Sequence, residues 1–283
     1  MTHDERLIGR RPSDQHVQES RARLDAMFDR RFEQRDALRT ERRSLDNASL
    51  KVLRGLAGED PILSSAVKRS QARSAALAKR PLRRPEGTKV RARARLGSIS
   101  VTFVPPFWPW QWSASTGSAT ADVGADGNAG TMNFDAWTGD NGKTASTAVA
   151  LGYYFQPLAD NGIMDVFANP SFNYVWDSDN VFDNSHTGAF IGLYVGQYTL
   201  SGEFVQAVID QQISLWNSGG GSDQGNNSGF PLFASTPVDS DHFYEIWVWA
   251  GGDAEADGWS AFWGSAALSS ANLVVPSISV YAY

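Results

Sequence analysis

The sequence predicts a segregated α+β protein: a basic N-terminal helical arm followed by an all-β antiparallel sandwich of the jelly-roll kind. Three observations predict it. Charge divides along the chain: residues 1–97 carry 24 Lys+Arg against 13 Asp+Glu, a net of +11, whereas residues 98–283 carry only Lys143 against 18 acids, a net of −17. The basic part is rich in helix formers with a helical apolar period. From Ser98 onward, Gly, Ser, Thr, Asn and Asp alternate with Val, Ile, Tyr, Phe and Trp in short runs separated by turn signals. The expected division is therefore 1–97, arm and linker, and 98–283, an acidic, Trp-rich sandwich.

Residues 14–56 form the first predicted helix, with Ser13 as N-cap and Gly55 or Gly58 as stops. At 100° per residue, Val17, Leu24, Met27, Phe28, Leu38, Leu45, Leu53 and Leu56 share one face. Arg31, Arg35 and Arg42 project from that face too. Unpaired buried charge is costly, so a dry core would not put them there. The face suits an apolar partner that also offers carboxylates. Phe28, Arg31, Phe32, Arg35, Leu38 and Arg42 are the candidate partner-binding residues. The bland alternative is a loose helical hairpin whose arginines snorkel to water. A coiled coil is weaker, because the companion positions of the seven-residue step are not apolar.

A second helix is expected from Asp60 to Arg80, with Pro61 in its first turn and Pro81 after it. "VRARARL" then alternates with a strand period, placing Arg91, Arg93 and Arg95 on one side. These three join the partner-binding set as an arm laid on an acidic surface. Nucleic acid is a less favoured target, since no aromatics interleave the arginines for base stacking.

In the acidic part the expected strands are 98–104, 130–137, 144–155, 163–176, 187–200, 203–216, 231–236, 242–250 and 266–282. The segment 217–229 is expected to be a mobile loop, being polar and glycine-rich. "FVPPFWPWQW" at 103–112 is expected to leave the ladder at its prolines as an extended rim, with Trp108, Trp110 and Trp112 on one side. "HFYEIWVWA" alternates best. Phe243, Glu245, Trp247 and Trp249 point one way, and Tyr244, Ile246, Val248 and Ala250 the other.

The chemistry is narrow. There is no cysteine, which excludes disulfides and thiolate sites. The sandwich has no arginine, and its two histidines are His186 and His242. Phosphate chemistry, which needs cationic clamps, is not expected there. No GxSxG turn or phosphate-binding loop occurs.

The preferred reading is a non-enzymatic structural or interaction protein, a homo-oligomer or part of a larger assembly. A glycan-binding or glycoside-cleaving sandwich is the alternative. Trp108, Trp110, Trp112, Trp247 and Trp249 would be its platforms and Glu245 its acid or base. A capsid-like protein with a nucleic-acid-binding arm comes third. Asp177, Asp179 and Asp183 in "DSDNVFDN" offer oxygens to calcium, but Asx turns are preferred, and no cofactor is expected. The charged start lacks an apolar signal segment, so a cytoplasmic location is the default, with export by another route left open.

Overall fold

The computed structural model describes residues 13–57, 99–139, 143–157, 162–178, 184–257 and 266–283. They form one helix, α1 (Asp14–Ala57), and fourteen strands. The strands are β1 (Ile99–Phe103), β2 (Trp108–Ser115), β3 (Thr120–Asp126), β4 (Thr131–Thr138), β5 (Lys143–Phe155), β6 (Gly162–Ala168), β7 (Ser171–Ser178), β8 (Asn184–Thr199), β9 (Phe204–Ser218), β10 (Gly221–Asn227), β11 (Leu232–Val238), β12 (His242–Asp257), β13 (Ala267–Val274) and β14 (Ile278–Ala282). Every strand pairing is antiparallel. The fold is the segregated α+β, jelly-roll-like sandwich expected from the sequence.

One layer is a five-stranded sheet, β2-β5-β12-β8-β9. The other consists of β10-β7-β13-β4-β3 and β1-β14-β6-β11. These two sheets continue each other. β7 follows β6, β14 follows β13 and β11 follows β10, and a proline stands at each break: Pro170, Pro276 and Pro231. Pro105 follows the end of β1 on the same line. Proline has no N–H to give a ladder, so four aligned prolines crease the layer. Two residues separate Ala168 from Ser171, while three separate their partners Ile278 and Val274.

The main core lies between the layers. Leu151, Ile191, Leu193, Ile246 and Val248 of the first layer meet Phe134, Met164, Val166, Leu273 and Val280 of the second. This follows the alternation in β12, where Tyr244, Ile246, Val248 and Ala250 face inward. The opposite face of β12 lies under α1, so the order is helix, sheet, creased sheet.

α1 begins at its expected cap: Val17 N donates to Ser13 O at 3.1 Å and His16 N to Ser13 Oγ at 3.2 Å. It runs through Gly55, because one glycine costs a helix only about 1 kcal/mol. The second expected helix, 60–80, lies outside the described residues, as do Arg91, Arg93 and Arg95. Among the described residues, no helix is long and apolar enough to cross a membrane.

Several expectations need correction. Residues 108–115 are a strand despite Pro109, because β2 is an edge strand and a missing donor there interrupts nothing beyond it. The segment expected to be a loop, 217–229, contains β10, which pairs with β7 along its whole length. It is also an edge strand. Such a strand needs only backbone pairing, so polar, glycine-rich composition does not prevent it. β3 occupies a stretch in which no strand is expected. The expected strands 163–176 and 266–282 each divide at the crease.

Candidate interaction site: a helix on an aromatic strip

The outer face of the first layer is a strip of large rings set beside small residues. Registers place Trp108 opposite Gly152, Gly152 opposite Trp247, and Trp247 opposite Tyr194. One pair further along, Trp110, Ala150, Trp249 and Gly192 stand in line. Each indole therefore lies over a neighbour with little or no side chain. A Cβ on Gly152 would collide with the Trp247 ring, and one on Gly192 would collide with the Gln211 carbonyl and come within 2.8 Å of Trp249 Nε1. Cross-strand packing of this kind requires glycine at those positions.

α1 lies on this strip. His16, Ser20, Leu24 and Phe28 recur every four residues and so share one face. All four are buried, as are Trp110, Trp247 and Trp249. Phe28 is the centre of the contact. Its ring centroid is 5.2 Å from Trp110, 5.4 Å from Trp112, 5.4 Å from Trp249 and 6.4 Å from Phe190. Leu24 and Met27 join the same cluster. Phe32 meets the edge of Trp112 at 6.1 Å.

The polar contacts orient the helix. Trp110 Nε1 donates to Asp25 Oδ1 and Trp112 Nε1 to Asp29 Oδ1, each at 2.9 Å. These bonds satisfy the indole N–H groups that docking removes from water. Arg31 pairs with Asp210 of β9 at 3.0 Å and lies 5.4 Å from the Trp249 ring. Arg35 pairs with Asp253 of β12, which also accepts from Ser146 Oγ at 2.7 Å. Burial works against the Arg35 charge, but Asp253 and Glu255 outweigh it and raise its pKa. Both arginine side chains stay partly exposed, at 38% and 44%.

The most buried carboxylate among the described residues is Glu245, with no solvent exposure. His16 Nε2 stands 3.1 Å from Glu245 Oε1, within ion-pair range but outside hydrogen-bond alignment. Ser20 Oγ donates to Glu245 Oε2. Tyr198 OH donates to Ser20 Oγ at 3.1 Å. The Tyr198 and Phe243 rings lie edge-on to His16, both with centroids at 4.6 Å. Burial and the nearby Glu245 charge push the Tyr198 phenol well above its usual range. Burial, with Asp210 and Glu245, pushes Tyr194 up to about 12.

The structure thus brings together Phe28, Arg31, Phe32 and Arg35 with Trp108, Trp110, Trp112, Glu245, Trp247 and Trp249. Leu38 is 64% exposed, beyond the strip. Arg42 is on α1, but its side chain is outside the described residues. With α1 in place, Glu245 has no open side on which to meet a sugar, and Trp247 and Trp249 are 1% and 2% exposed. Asp177 is buried on β7, whereas Asp179 and Asp183 lie outside the described residues. Among the described residues no group of three His, Asp or Glu side chains is arranged to hold a metal.

Sequence reasoning missed His16, Ser20, Asp25, Asp29, Asp210 and Asp253. The four-residue step 16-20-24-28 carries a signal for the first two, hidden when only apolar members of a stripe are counted.

The fold and this strip define a class, a helix-capped antiparallel sandwich, and the comparisons take it no further. No protein-family model matches the chain, and no curated protein matches it. Several solved structures are similar over part of the chain. One is the enzymatically active domain of a tailspike protein of bacteriophage CBA120 (10% identity, TM-score 0.21, covering 58% of this chain and 19% of that one). Another is a structure of infectious bursal disease virus, Gx strain (12%, 0.24, 66% and 36%). A third is a xylan-binding domain from Paenibacillus barcinonensis (9%, 0.15, 66% and 98%). The chain thus spans about a fifth and about a third of the first two, and none of these likenesses bears on function.

Proposed function

We propose that this chain is a non-enzymatic structural or interaction protein. Its basic helical arm docks on an acidic, aromatic β-sandwich of a neighbouring subunit or larger assembly, and the division falls near Ser98. One observation carries the reading: Phe28 sits among four rings of the sandwich with indole–carboxylate bonds beside it. This is recognition of a helix by a groove, read through anchors at four-residue steps. The net charges, +11 on the arm and −17 on the sandwich, favour encounter. Exposed ion pairs contribute about 0.2–1 kcal/mol each, so apolar contacts set the affinity and charges set orientation and rate.

The test uses the full chain carrying Phe28→Asp, which weakens its own latch, and a synthetic peptide of residues 14–37. The peptide should bind and return tryptophan emission towards the parent value, with little loss of affinity as salt rises. If it ignores the protein but binds a DNA duplex with a steep salt dependence, the docking reading fails and the nucleic-acid reading replaces it.

A further inference from the structure

We infer that the strip and α1 form an exchangeable pair. A second copy of this chain supplies the helix in the assembled protein and receives this copy's helix in return. This deepens the docking reading and rests on it.

Four observations point there. First, α1 is held by side chains alone; among the described residues no backbone hydrogen bond joins it to the sheet. A helix arriving from another copy would make the same contacts. Second, the tether is long. Among the described side chains the contact reaches Arg35, and β1 begins at Ile99. The 41 residues between Ala57 and Ile99 reach at most roughly 140 Å. The helix itself, at 44 residues, is about 66 Å long. Chain length therefore does not bind an arm to its own sandwich. Third, α1 continues for 22 residues past Arg35, about 33 Å, and Leu38 on its apolar face is 64% exposed.

Fourth, the strip cannot stay bare. Removing α1 would open Trp110, Trp247 and Trp249 to water and strip Glu245 of its partners. A copy that lends its helix must therefore receive one, which makes the exchange reciprocal and closes it as a symmetric pair. Both arrangements make identical contacts, so local concentration decides between them. A linking segment holds its own arm at up to about millimolar effective concentration. Copies gathered in an assembly reach that range, and dilute copies do not.

The absence of cysteine makes a clean test. One full-length variant carries Arg31→Cys and a second Asp210→Cys, residues that face each other across the contact. The two are mixed, warmed so that helices release, and treated with a short bis-maleimide. A third variant carries both cysteines. Arg35→Cys with Asp253→Cys is a second pair, in case the first disturbs packing.

The expected result is a dimer-mass band in the mixture that grows several-fold over a tenfold rise in concentration. It should fall to the collision background when Phe28→Asp is added to the Arg31→Cys chain. If the double variants crosslink only within one chain and the mixture yields background, exchange is refuted while docking stands. If neither cysteine pair crosslinks in any form, the docking reading itself fails.

Discussion

Phe28→Ala measures directly how tightly α1 is held. The side chain is 5% exposed and touches four rings of the strip. Truncating a buried phenylalanine costs about 3–5 kcal/mol. Here the loss falls on one contact, since the main core between the sheets does not include Phe28. At about 1.4 kcal/mol per factor of ten, the docked-to-released ratio should fall by roughly 140- to 3,700-fold. The global melt should move far less than that figure implies. Hydrogen exchange provides the assay. Amides of residues 16–35 should lose protection by about that factor, while those of β5 and β12 keep theirs. Five of the ten tryptophans lie on the strip, so emission should shift to the red as helices open. Unchanged protection at 16–35, or equal loss throughout the sheets, would refute the reasoning. The first outcome would mean that Phe28 anchors nothing, and the second that helix and sandwich unfold as one body.

Three other outcomes are expected. His16→Ala should loosen the helix by about 1–3 kcal/mol, because it removes a buried side chain and leaves Glu245 Oε1 without its nearest polar neighbour; adding Glu245→Gln should recover part of that, as a double-mutant cycle on exchange rates would show. Asp135 has its pKa raised to about 6, by burial first and the nearby Asp122 charge, against a hydrogen bond to Ser270. Its protonated form therefore favours the fold: the contribution is complete below about pH 4 and is lost as pH rises through about 6. Asp135→Asn should leave the melting temperature unchanged at pH 4 and raise it at pH 8, by at most about 3 kcal/mol in stability; an equal effect at both pH values would contradict this. A chain beginning at residue 98 should keep a cooperative β-type melt, with red-shifted tryptophan emission and greater self-association from the bared strip; a disordered circular dichroism spectrum would show that the arm completes the fold.

Much of the site's framework was legible from local pattern. The alternation of "HFYEIWVWA" separates Ile246 and Val248 from Trp247 and Trp249, and those sets face the core and the helix. The apolar face of α1 was readable because 3.6-residue periodicity survives in any helix that packs on one side. What stayed hidden depended on long-range pairing. Nothing near Glu245 shows that Ser20, 225 residues away, donates to it. Nor does Asp25 announce that it accepts from Trp110, 85 residues on. The edge strands β2 and β10 were misread, and β3 was not expected, for another reason: propensity rewards buried side chains, and an edge strand can form on backbone pairing alone.

The line of prolines through the second layer also bears on how the chain tolerates length change. A residue inserted into an ordinary strand shifts every later side chain to the wrong face. Here each crossing strand meets a residue at the crease that cannot enter the ladder, so register restarts there. The shorter count between Ala168 and Ser171 is such a restart, already absorbed. A one-residue insertion beside Pro170, Pro276 or Pro231 should therefore disturb one leaf and leave the other aligned. The crease acts as a set of independent zero marks, letting the two halves of a large sheet drift in length without losing their common core.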